Sequence, residues 1–152
     1  MKLLDFIDRK TIITELRSTD KKSVLEELAL PVSKITRIEH QELVRVLMER
    51  ENLGSTGIGS GIAIPHGKLK NLKTLILGIG LSHKGVNFDT MDGKPAYLFF
   101  LLLTPDNSTD LHLKLLARIS KILKNEPFKQ KILRATKPED MLQLIADIDE
   151  EF

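Results

Sequence analysis

Among side chains able to accept or pass a reacting group, the chain offers four histidines, His40, His66, His83 and His112, and no cysteine. The missing cysteine excludes a thiolate nucleophile, a disulfide framework and any Cys-ligated metal. No histidine pair has HExxH or other paired-ligand spacing, so sequence gives a metal site no support. GxSxG, the turn that presents a hydrolase serine, is absent too, and Gly59-Ser60-Gly61 flanks its serine at the wrong distance. His66 lies in GSGIAIPHGKL, residues Gly59 to Leu69. Its glycines invite a phosphate cradle, because bare backbone can approach an anion closely. The spacing rejects that idea. A Rossmann fingerprint begun at Gly57 or Gly59 needs glycine at Ile62 or Ile64, and a P-loop ending in Gly67-Lys68 needs glycine at Ile62 and a hydroxyl at Leu69. Both motifs also follow a strand, whereas this one precedes it. His66 is then either a turn residue at a strand end or a nucleophile. A neutral imidazole, with an unperturbed pKa near ~6.5, has a ring nitrogen free to attack phosphorus or carbon. Pro65 fixes the backbone before it, and Gly67 leaves one side of the ring uncrowded.

Whatever His66 does, the elements around it must hold it. The 152 residues, 41% hydrophobic and 29% charged, fit one soluble globular domain. A net charge of +2 with scattered basic residues gives nucleic acid or an anionic membrane little to bind. The opening MKLLDFIDRK lacks the apolar region of a signal peptide, and the longest apolar run, Ala96 to Leu103, is too short for a bilayer. We expect a cytoplasmic protein. Thr11 to Leu16 reads as a first strand. Asp20 caps a helix with a buried stripe of Val24, Leu25, Leu28 and Leu30, which Pro31 stops or kinks. Leu43, Val44, Leu47 and Met48 mark a second helix over Glu39 to Glu51. Asn52 to Gly61 holds too many glycines for regular structure, and Ile62-Ala63-Ile64 is a short strand ended by Pro65. Leu75 to Leu81 and Ala96 to Leu103 read as strands covered on both faces, with Val86-Asn87-Phe88 a hairpin arm between them. Asp110 to Lys124 is amphipathic, and Pro127 and Pro138 begin two further helices. The order predicts a single α/β domain over residues 1–152, a mixed sheet flanked by helices on both faces.

RENLGSTGIGSGIAIPHGKL, residues 50–69, resembles the signature of the type 2 EIIA domains of the bacterial phosphotransferase system, the fructose/mannitol class. Within that class it is most similar to the nitrogen-regulatory branch. The resemblance implies that His66 accepts a phosphoryl group from the phosphohistidine of a small carrier protein, HPr or its nitrogen-branch relative (NPr-like). It matches His112 to the family's second active-site histidine and Arg50 to the arginine before the Gly-rich loop. It implies no cofactor or metal, and as partners either regulated target proteins or an EIIB domain with a cysteine acceptor. A degenerate binding module that is never phosphorylated is the reading from another class. Chemistry gives these residues roles. Phosphoryl transfer spreads charge over three equatorial oxygens, which Arg50 can meet with a charged fork and His112 with a ring N–H, or by orienting His66. Amides and hydroxyls of Ser55, Thr56 and Gly57 are further expected donors. Read without the motif, Arg50 complements a helix dipole and His112 is an exposed first-turn residue. His40 and His83 match nothing and are expected on the surface or in turns. Lys68, Lys70 and Lys73 read as a solvated face. Pro31 departs from the longer helix expected of relatives.

Overall fold

The computed structural model describes residues 2–151; Met1 and Phe152, the ends of the expected domain, lie outside them. A 3-10 turn (Leu3–Phe6) leads into β1 (Ile7–Ile13), followed by helices α1 (Lys21–Thr36) and α2 (His40–Glu51). Short strands β2 (Gly57–Gly59), β3 (Ile62–Ala63) and β4 (His66–Leu69) precede the long β5 (Ile76–Val86) and β6 (Ala96–Pro105). Helices α3 (Thr109–Leu123), α4 (Glu126–Leu133) and α5 (Pro138–Glu151) complete the chain. The sheet runs β1-β5-β6-β3-β2, with β4 also on β6. β1 is parallel to β5, and both β3 and β4 are parallel to β6. The β5·β6 and β2·β3 pairs are antiparallel, so the sheet is mixed as expected.

The alternation of β6 makes two cores. Leu98, Phe100 and Leu102 face α3, α4 and α5, while Phe99, Leu101 and Leu103 face α1 and α2. Burial on both sides explains why this strand is apolar without interruption. Gly80 lets α1 come close, since a Cβ there would stand 2.7 Å from a Leu28 methyl. Among the described residues no helix is long and apolar enough to cross a membrane.

Several boundaries differ from expectation. Asp20 caps α1 by accepting from the Ser23 amide at 2.8 Å, but Pro31 does not end the helix, which loses one bond and continues to Thr36. Leu30 is exposed, being two residues and about 200° around the helix from Leu28; Ala29 and Val32 complete the buried stripe. The first strand begins at Ile7, ahead of Thr11, because its exposed Asp8-Arg9-Lys10 masks the period. Part of the Asn52 to Gly61 stretch is regular. β2 folds back on β3 through Ser60 and Gly61, both at positive φ, the tight turn that matches strand twist. Val86 ends β5, and Asn87 makes only a single bridge to Asp20, so no separate hairpin arm forms there.

Candidate functional site

Pro65 lies at the break between β3 and β4, which both run along β6. It has no amide to give, but its carbonyl accepts from the Leu102 amide at 2.9 Å, and pairing with β6 resumes at once as His66 meets Leu102. His66 therefore opens β4 and is held by a ladder, where a strand end in a loop was expected. Gly67 serves the neighbouring helix. A Cβ there would stand 2.6 Å from a Val46 methyl, so its bareness allows α2 to lie against β4 and carry Arg50 to His66.

The His66 ring is half-buried and bonded at both nitrogens. Nδ1 lies 2.7 Å from the Ile64 carbonyl oxygen, and Arg50 Nε donates to Nε2 at 3.2 Å. A carbonyl can only accept and a guanidinium only donate, so the ring is neutral, with its proton on Nδ1 and its lone pair on Nε2. Burial holds its pKa below the ordinary histidine value. The Ile64 carbonyl opposes this by favouring the cation, and the Arg50 charge adds to the lowering. Arg50, in the last turn of α2, also donates from Nη1 to the Gly54 carbonyl at 2.8 Å.

His112 is buried at 4% exposure in the first turns of α3, so the exposed reading fails. Its ring centroid is 5.4 Å from that of His66, tilted 58°. The buried Thr104 hydroxyl meets His112 Nδ1 at 2.6 Å, which leaves Nε2 for a ligand. Burial, then the neighbouring His66 and Lys68, push its pKa down to about 4, so it is neutral at pH 7. Lys68 reaches Thr109 at the start of α3, with Nζ 3.2 Å from the hydroxyl.

The Gly-rich loop is tied to the protein. Ser55 donates its hydroxyl to the Phe88 carbonyl at 2.8 Å and accepts from the Gly57 amide at 3.1 Å. Thr56 gives both its amide, at 3.0 Å, and its hydroxyl to the Glu51 carboxylate. In this state the expected phosphate donors build the loop's own shape. A side chain at Gly57 would strike Thr90, at 2.5 Å. His40 binds the Glu26 carbonyl at 2.7 Å, bridging α1 and α2, and His83 is exposed on β5; neither joins the site. Lys70 and Lys73 are exposed, as a solvated face requires. Among the described residues no three His, Asp or Glu side chains gather as metal ligands.

Thus the fold brings together Arg50, His66 and His112, all proposed from sequence. It adds Thr104, Glu51 and Lys68, which sequence reasoning missed. Lys68 had a signal, since it follows His66 by two residues and so shares its side of a strand. Thr104 and Glu51 had none, because their bonds appear only when the chain is folded.

This chain matches the family described as phosphoenolpyruvate-dependent sugar phosphotransferase system, EIIA 2, over residues 5–148. It is 37% identical over 137 residues to the nitrogen regulatory protein of Bradyrhizobium diazoefficiens, covering 90% of this chain and 89% of that one. It is 30% identical over 150 residues to the fructose-specific EIIABC component of Bacillus subtilis, covering 98% of this chain but 24% of that protein. The crystal structure of nitrogen regulatory protein IIA-Ntr from Neisseria meningitidis superposes with a TM-score of 0.88 at 29% identity, over 93% of this chain and 97% of that one. The likeness thus extends through both helical layers and the sheet that carries His66, and the chain belongs to the EIIA 2 family of the phosphoenolpyruvate-dependent sugar phosphotransferase system.

Proposed function

We propose that the chain accepts a phosphoryl group on His66 Nε2 from the phosphohistidine of a small carrier protein, HPr or its nitrogen-branch relative, and acts as a regulator. The observation that carries this is the pair of bonds on the ring, Nδ1–H to Ile64 and Nε2 facing Arg50. Together they present one lone pair beside a permanent positive charge. In the transfer, that lone pair forms the new N–P bond as the donor's N–P bond breaks, and the breaking bond's electron pair returns to the donor ring. Arg50 then exchanges a neutral nitrogen acceptor for anionic phosphoryl oxygens, a stronger, charge-assisted bond. His112, neutral and bonded to Thr104 at Nδ1, offers an Nε2–H to the same oxygens when Thr104 is the donor. Ser55, Thr56 and Gly57 act chiefly by shaping the loop that holds Arg50.

Likeness to two nitrogen regulatory proteins over most of their length supports regulation. A new charge of about two units on the surface would alter affinity for target proteins in the cytoplasm. The fructose-specific relative supports a second reading, transfer onward to a cysteine of an EIIB partner. Incubation with Enzyme I, phosphoenolpyruvate and an HPr-like carrier tests both. Acid-labile, alkali-stable label should enter the protein and be lost in His66→Ala; label retained in that variant overturns the site. An unlabelled wild-type protein would favour a binding module. Transfer to EIIB with sugar phosphorylation would establish the second reading.

A further inference from the structure

Glu51 takes no part in the transfer above, yet its carboxylate is bonded at both oxygens beside the site. The side chain is 1% exposed. One oxygen accepts from the Thr56 amide at 3.0 Å and lies 3.0 Å from Lys21 Nζ, and the other accepts the Thr56 hydroxyl. Lys21 is fixed in turn, 4.9 Å above the Phe88 ring. The Phe88 carbonyl holds Ser55. A buried ion pair gives less stability than its contacts suggest, because both charges must leave water, so its effect is sought in geometry.

That geometry leads to His66. The Leu53 and Gly54 amides hold the near end of the loop after α2 on the Arg50 and Glu51 main-chain carbonyls, and the two bonds to Thr56 fasten its far end. The same loop contributes the Gly54 carbonyl that holds Arg50 Nη1 at 2.8 Å. A guanidinium is planar and rigid, so fixing Nη1 fixes Nε, which faces His66 Nε2 at 3.2 Å. We propose that Glu51 is a positioning residue, aiming the Arg50 guanidinium at His66 Nε2 through Thr56 and the Gly54 carbonyl. The proposal rests on His66 being the phosphoryl acceptor.

Glu51→Gln and Thr56→Val test it, with Thr56→Ser as the conservative rescue. At saturating phosphorylated carrier, His66 phosphorylation should slow about tenfold in the first two, with KM for the carrier within about twofold of wild type. Thr56→Ser should restore the rate. In 15N spectra of the unphosphorylated variants, the His66 Nε2 resonance should move to that of an unbonded acceptor and the Arg50 Hε signal should broaden by exchange. Wild-type rates in both variants overturn the proposal, as does slowing with these two signals unmoved. Failure of both to unfold cooperatively would assign the contact to stability and overturn it too. If Glu51→Gln alone fails to fold, Thr56→Val decides, since it keeps every charge. The spectra need no carrier, so they test the positioning even if the wild-type protein takes up no label, a result that would sink only the carrier reading.

Discussion

Two buried carboxylates are built alike and serve different ends. Glu51 and Asp149 each have a side chain 1% exposed and a cation within 3.0 Å, Lys21 for one and Arg118 for the other. Each also accepts backbone amides: Thr56 for Glu51, and Leu3 and Leu4, both at 3.1 Å, for Asp149. The difference lies in what is held. Asp149, on α5, ties the 3-10 turn near the start of the chain to α5 and to Arg118 on α3. Glu51 ties a loop whose carbonyl touches Arg50. The same arrangement acts as a staple at one end of the molecule and as an aiming device at the other.

Asp149→Ala should separate the two most sharply. It leaves Arg118 short of its carboxylate and two amides without an acceptor, so urea unfolding should show a loss of about 3–5 kcal/mol. The phosphorylation rate of the folded fraction should be unchanged; a slowed rate would break the contrast. On the site side, His112 carries an acid liability. Its folded pKa of about 4 lies below the unfolded value near ~6.5. The unfolded chain thus binds the extra proton first, and stability present above pH ~6.5 is lost as pH falls toward about 4. The loss should reach about 3 kcal/mol and be largely absent in His112→Gln, as acid-limb unfolding curves would show. Gly67→Ala is the mildest change. Its new methyl presses on Val46 and should cost about 1–3 kcal/mol. Because the pressure falls on α2, transfer should slow as well, joining function to stability where Asp149→Ala divides them.

The fold was legible where one residue type dominates a local choice. Asp20 as a cap, Pro127 and Pro138 at helix starts, and the doubly covered apolar β6 all act through neighbours in sequence. Pro31 misled because packing of the α1 stripe outweighs one missing helical bond. β2 and β4 were hidden because strands this short show no period, and their pairing is decided by β3 and β6. Within the site, His66, Arg50 and His112 were legible through a family signature, since nothing in their spacing predicts that the two rings approach. Glu51 reads as an ordinary acidic residue at a helix end until Lys21, from the start of another helix, reaches it.

The central claim concerns one atom, His66 Nε2. Phosphorus–nitrogen correlation in the phosphorylated, 15N-histidine-labelled protein tests it directly. The ring bonds predict phosphorus on Nε2, with the Nδ1 proton retained and still bonded to the Ile64 carbonyl. Phosphorus on Nδ1, or on any residue other than His66, would contradict it.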